Sequence, residues 1–230
     1  LRGELKAFLG QEPPVLPGRD LNLYDAAVVS RVWEQRRLRQ LYDLGKGQTR
    51  LQIFSWESMS LRTMPKSALF AAAFQLRLGV QVSVEELLAR LVAMGYSRAP
   101  MVEGPGQFAL RGGILDLYSP AEGQPVRVEF FGDELDTMGY FDPNTQRRTE
   151  NVEEITVLPV AESQPGLHPG GIPGLQRDLQ ALLARQKRRK NQNERLIRTL
   201  EQDLERLENG VSLPAPDRYI ALIAPEMTTA

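Results

Sequence analysis

Few side chains in this sequence could carry out chemistry. There is one histidine, His168, and no cysteine, so a thiol nucleophile, a structural disulfide and a zinc ribbon are excluded. A Ser-His-acid triad would have to be built on His168. That residue lies in Gln164-Pro165-Gly166-Leu167-His168-Pro169-Gly170-Gly171 and is expected to be an exposed loop residue. A metal site would have to be all carboxylate. The acidic pairs Asp133/Glu134 and Glu153/Glu154 are adjacent in sequence. Neighbours on a strand point to opposite faces, which does not suit a paired acid and base. Gly45-Lys46-Gly47-Gln48-Thr49 has the residue types of a phosphate cradle. A P-loop, however, needs Gly-x-x-x-x-Gly-Lys-Ser/Thr running from a strand into a helix. This segment follows a helical pattern and precedes a strand, so a surface turn is expected. The residues therefore argue for a binding module, with no catalytic residue, metal or cofactor expected in the chain.

A binding surface is easier to find. In Val126-Arg127-Val128-Glu129-Phe130-Phe131, a period of two places Val126, Val128 and Phe130 on one face and Arg127, Glu129 and Phe131 on the other. A Phe on the polar face has two readings, packing under a loop or anchoring a partner, and an aromatic beside an Arg is the composition enriched at interface hot spots. Arg111 precedes a Gly112-Gly113 turn. If 114–118 pairs with 126–131, Arg111 and Arg127 reach the same side. A second surface is the basic run Arg185, Lys187, Arg188, Arg189 and Lys190, expected on a helix.

The elements that position these residues follow from pattern. Residues 106–158 read as short strands (108–110, 114–118, 126–131, 135–141 and 155–158) separated by Gly-, Pro- and Asp-rich turns, a small antiparallel sheet. The helix to back it is expected at 83–94. Ser83 is its N-cap, Glu86 completes a capping box, and Val84, Leu87, Leu88, Leu91 and Val92 share one face before Gly95. Upstream, 1–23 reads as loop, 24–44 as a helix with Arg31, Arg36, Arg37 and Arg39 on solvated faces, and 51–54 as a short buried strand. Downstream, 163–174 is a Pro/Gly linker, 174–208 is one long helix or two, and Tyr219 to Ile223 reads as a buried strand.

Composition sets the remaining limits. The chain has 230 residues, 42% hydrophobic and 25% charged, with 28 basic and 29 acidic residues. That supports a globular core of one or two domains. It gives no overall pull toward DNA or an anionic membrane, so any nucleic-acid contact must be local. No apolar run approaches the roughly 20 residues needed to cross a bilayer, and no membrane partner is expected. The first residue is Leu rather than Met, so a longer parent is expected.

Four ordered stretches carry a resemblance. Gly106-Gln107-Phe108-Ala109-Leu110-Arg111-Gly112-Gly113-Ile114-Leu115-Asp116-Leu117-Tyr118, Pro125 to Glu134, Phe141-Asp142-Pro143-Asn144-Thr145-Gln146-Arg147-Arg148 and Leu158-Pro159-Val160-Ala161-Glu162 resemble, in order and spacing, the motifs of the bacterial transcription-repair coupling factors. UvrB has a looser version. The likeness covers about residues 12–162 well and 163–230 loosely. It implies the N-terminal UvrB-like region of such a factor. The fold it implies is α/β, a degenerate Rossmann-like lobe resembling the first domain of UvrB, with an inserted small α/β domain carrying an antiparallel sheet. Residues 1–78 would begin the lobe, 79–150 would be the insertion, and 151–230 would return to the lobe with a long helical segment.

The resemblance further implies that the insertion binds UvrA, through Arg111, Arg127 and Phe131, with Asp116 and Glu129 as supporting contacts. RNA polymerase, double-stranded DNA and ATP would be handled by parts of the parent outside these residues, in the bacterial cytoplasm. Two other readings compete. One is a nucleic-acid-binding lobe using Arg185 to Lys190 and the arginines near 31–39. The other is a UvrB-type ATPase subunit, which the missing P-loop disfavours.

Overall fold

A computed structural model describes residues 2–18, 31–49, 51–211, 213–225 and 228–229. In chain order the first elements are α1 (Arg2–Leu9), β1 (Val15–Leu16), α2 (Arg31–Gly45), β2 (Ile53–Phe54), α3 (Trp56–Ser60), β3 (Arg62–Thr63) and α4 (Lys66–Ala72). Next come β4 (Phe74–Arg77), α5 (Val84–Ala93), β5 (Ser97–Arg98), β6 (Gln107–Arg111), β7 (Ile114–Leu117), β8 (Val126–Phe131), β9 (Glu134–Phe141), β10 (Arg148–Asn151) and β11 (Glu154–Val157). The chain then runs through α6 (Gly171–Lys187), α7 (Glu194–Glu208), α8 (Ile220–Ile223) and β12 (Thr228–Thr229). The class is mixed α/β with antiparallel sheets, as expected.

The centre is a six-stranded sheet in the order β10-β9-β8-β7-β6-β5, antiparallel except for the parallel β5–β6 edge. Its inner face carries Phe108, Leu115, Leu117, Val126, Val128, Leu135 and Met138, packed against Leu87 and Leu91 of α5 and against Met94. Each such side chain contributes about 1.5–3 kcal/mol on burial. Ser83 caps α5 by accepting the Glu86 amide at 3.4 Å, the Ser83 half of the expected capping box, and Gly95 follows the helix at a φ of +89°, as the sequence predicts. Val92 is not on the core face. It is 59% exposed, because the helical repeat places Leu91 and Met94 inward instead.

The sheet departs from expectation in three ways. The strand at 155–158 is not part of it: β11 pairs antiparallel with β4, Val157 against Phe74 and Glu154 against Arg77. The edge strand β10 was not anticipated, because its residues Arg148 to Asn151 are all exposed and show no apolar alternation. The short β5 was also missed.

The flanking elements bring other corrections. Residues 1–18 are not all loop, since they hold α1 and β1, and β1 pairs parallel with β2. Strand β2 is half-buried rather than buried. Helix α2 covers the later part of the expected helix. Its predicted start, including Asp25 and Val29, lies outside the described residues, as do the side chains of Arg31 and Val32. The Gly45 to Thr49 segment is the expected turn. The Gly47 amide donates to Leu44, the Gln48 amide to Asp43, and Gly47 takes a φ of +71°, a glycine-terminated helix end.

Residues 174–208 form two helices, α6 and α7. Their facing sides share a core of Leu175, Leu179, Leu200, Leu204 and Leu207 with Leu213, Tyr219 and Ile223. Tyr219 to Ile223 is helical rather than a strand. Pro216 opens a 3-10 turn that leads into α8, and the Tyr219 hydroxyl donates to Asp203 at 2.6 Å. His168 is not a free loop residue. Its Nδ1 accepts the Gly170 amide at 3.0 Å, its Nε2 lies 3.1 Å from Asp178, and its side chain is only 10% exposed. It orders the approach to α6.

The arginines of α2 do not all face water. Arg37 is completely buried. Its Nε donates to Glu162 at 2.8 Å, and its other nitrogens reach the Pro17 and Ser58 carbonyls and the Thr63 hydroxyl. Glu162, also completely buried, accepts the Met64 amide at 3.2 Å as well. The last residue of the fourth motif is thus an internal staple between α2 and the chain leaving the sheet.

Candidate docking surface

The outer face of the six-stranded sheet is built by two tight hairpins. In the first, Arg111 pairs with Ile114 across Gly112-Gly113. Gly112 takes a φ of +59°, a region other residues rarely adopt. Gly113 passes close to β8, where an added Cβ would lie 3.2 Å from the Phe130 carbonyl. The Arg-Gly-Gly motif therefore has one glycine for the bend and one for the approach. In the second hairpin, Phe131 pairs with Glu134 across Gly132-Asp133, with Gly132 at a φ of +63°.

Register then brings the polar residues together. Asp116 of β7 lies opposite Arg127 of β8, and Ile114 opposite Glu129. Asp116 is 1% exposed and receives three hydrogen bonds from two arginines. Arg127 donates through Nε at 2.6 Å and through Nη2 at 2.9 Å, and Arg111 through Nη2 at 2.7 Å. A fork-shaped guanidinium–carboxylate pair of this kind is among the stronger and more directional hydrogen-bonded contacts. It holds the Arg127 guanidinium above its ordinary pKa, with burial opposing the rise.

The third motif completes the setting. The Asp142 carboxylate accepts the Asn144 amide at 2.8 Å, which lowers its pKa. The Gln146 amide closes the loop onto Asp142 at 2.7 Å. Gln146 takes a φ of +60° and presents its backbone oxygen and its Oε1 to Arg127 at 3.4 and 3.3 Å. The Arg127 guanidinium also lies over the Phe141 ring, 4.8 Å from its centroid. Phe141 is buried on this outer face with Val102 and Ala109.

The structure therefore brings Arg111, Arg127 and Asp116 into one cluster. The outer face, as predicted, also carries Glu129 and Phe131. Phe131 is 82% exposed, while its neighbour Phe130 packs on the core. Arg127 is less open than expected, with its side chain 21% exposed against 53% for Arg111. Glu129 is 3.9 Å from Arg148 at the edge. Gln146 and Phe141 belong to the third motif but were not expected among the residues of this site. The signal for both was their place in Phe-Asp-Pro-Asn-Thr-Gln, which has the residue types of a built turn.

The second predicted surface is elsewhere. Arg185 and Lys187 lie in the last turn of α6, and Arg188, Arg189 and Lys190 in the turn to α7. All five are exposed. Among the described residues, no group of His, Cys, Asp and Glu could hold a metal ion, and no helix is long and apolar enough to cross a membrane.

The sheet presents an exposed aromatic beside clustered arginines, and residues 74–162 match the family described as the UvrB interaction domain. The chain is related to the transcription-repair-coupling factors, in their UvrB-like region. It is 34% identical over 171 residues to that of Myxococcus xanthus, an alignment covering 70% of this chain and 14% of that protein. It is 46% identical over 87 residues to that of Staphylococcus haemolyticus, covering 38% of this chain and 7% of that protein. With that of Staphylococcus aureus it shares 33% identity over 146 residues, 64% of this chain and 12% of that protein. The chain thus spans a small fraction of the length of these relatives.

Proposed function

We propose that the outer sheet face recruits the excision-repair protein UvrA in transcription-coupled DNA repair. In this reading the chain is a docking module without catalytic activity or cofactor of its own. It works inside a longer cytoplasmic factor whose other parts engage stalled RNA polymerase and translocate on double-stranded DNA using ATP. The elements around the sheet would belong to a degenerate Rossmann-like lobe: 1–78 before the insertion, 79–150 as the insertion and 151–230 after it.

The observation that supports this reading is the convergence of Arg111 and Arg127 on buried Asp116, on the face that exposes Phe131. Phe131 supplies apolar area that a partner can bury. Arg111 keeps free donors for carboxylate or carbonyl groups, and Asp116 with Gln146 holds Arg127 in place, so little side-chain entropy is lost on binding. Aromatic and Arg residues are also the types that dominate interface energetics.

The test is a titration of UvrA against the wild-type chain, Phe131→Ala and Arg111→Ala. Removing a hot-spot side chain should cost on the order of 2 kcal/mol, about 30-fold in affinity. Equal binding by all three proteins, with circular dichroism unchanged, would remove this face from consideration.

A further inference from the structure

The turn between α6 and α7 reads Arg185-Gln186-Lys187-Arg188-Arg189-Lys190-Asn191-Gln192-Asn193. It holds five cations and four amides, with no acidic and no apolar residue, in a chain whose formal net charge is −1. The turn is ordered by its own polar groups. Gln192 donates to the Lys187 carbonyl at 2.6 Å, and Asn193 caps α7 by accepting the Leu196 amide at 3.1 Å. Lys187 crosses to Glu201 of α7 at 2.6 Å. Arg185, Arg188, Arg189 and Lys190 are exposed, and among the described residues none of these four has an acidic partner. Of the α2 arginines, Arg37 is buried against Glu162 and Arg39 is paired with Asp43.

We propose that this hairpin turn is a sequence-independent contact for the phosphate backbone of duplex DNA, separate from the sheet face. Three features of its composition select that partner. Clustered Lys and Arg with amide side chains match phosphate and sugar oxygens. The turn carries no aromatic ring on which single-stranded bases could stack. It also has no Trp, Phe or Leu to enter a lipid interface, and no apolar anchor for an acidic protein surface. The two helices share their core with Leu213, Tyr219 and Ile223, and the cations lie at the turn between them, exposed to an approaching duplex.

Fluorescence anisotropy of a labelled duplex, titrated with the chain at two salt concentrations, tests this. Neutralising about four phosphates predicts that affinity falls about 150-fold between roughly 50 and 200 mM salt. The triple variant Arg188→Gln/Arg189→Gln/Lys190→Gln retains Arg185 and should fall only about 3-fold over the same range. It should bind more weakly at the lower salt while its circular dichroism is unchanged. Arg111→Ala should behave as wild type toward the duplex, which separates this site from the sheet face. A wild-type chain that leaves the duplex unbound at about 50 mM salt and protein concentrations up to about 10⁻⁴ M overturns the proposal. So does a triple variant with the wild-type salt slope, or tighter binding to phosphatidylserine vesicles or to a single strand of equal length.

Discussion

The molecule uses the guanidinium–carboxylate pair in two places, under opposite conditions. Between Arg37 and Glu162 both side chains are completely buried, and the remaining guanidinium nitrogens are taken up by carbonyls and a hydroxyl from three segments. Between Asp116 and its two arginines only the carboxylate is buried, while Arg111 remains half in water. The chemistry is the same and the consequence is different. A pair with every donor satisfied inside the protein can only hold the fold together. A buried carboxylate that fixes two surface arginines from below leaves charge and donors facing outward, in the arrangement that the proposed docking requires.

The largest effect separating the two should come from Arg37→Ala. It leaves Glu162 buried without its cation, which costs about 3–5 kcal/mol and should appear as a lower denaturant midpoint. A loss below about 1 kcal/mol would mean that water reaches the pair, and the contrast would fail. Replacing both partners with well-packed apolar residues, as in Arg37→Met/Glu162→Leu, should recover much of that loss.

Next in size is Asp116→Asn. It weakens three charge-assisted hydrogen bonds and should lower stability by about 1–3 kcal/mol. It should also reduce UvrA affinity with Phe131 and both arginines in place. Full affinity in this variant would show that the arginines need no anchor. Arg111→Ala sharpens the comparison from the other side: stability should stay within about 0.5 kcal/mol while partner binding falls. The smallest effect belongs to the ordinary surface pair Arg39–Asp43, 2.8 Å apart and partly exposed, where Arg39→Ala should cost about 0.3–0.5 kcal/mol. A value above about 1 kcal/mol would make exposure a poor guide to the role of an arginine in this protein.

The two regions were not equally legible in the sequence. The outer sheet face could be read because a strand repeats every two residues. Once Val126 and Val128 are assigned to the core, Arg127 and Phe131 must be opposite, and Gly-Gly and Gly-Asp turns fix the pairings. The burial of Arg37 depends on a partner 125 positions away, and no local pattern reports such a contact. Helix α2 therefore looked like a basic solvated helix. Strand β10 escaped for a related reason, since an all-polar edge has no apolar rhythm. The Tyr219 to Ile223 error came from a short apolar run, which suits a buried strand or a helical turn equally, and Pro216 decided for the turn. Gln146 was hidden because its role depends on a left-handed backbone conformation that residue identity does not reveal.

The pairing of β4 with β11 gives the sheet unit a neck. The chain enters along one strand and leaves along its hydrogen-bonded neighbour, Arg77 beside Glu154 and Phe74 beside Val157. Everything between those strands, including both hairpins of the outer sheet face, is one excursion of the chain that begins and ends at this pair. The excursion also leans back on the elements beside its base, through Gln35 of α2 donating to the Pro105 carbonyl and Ala121 buried with Leu38 and Met64. Its two chain ends can be cut at adjacent points, but a transplanted sheet would need a host surface that replaces those contacts.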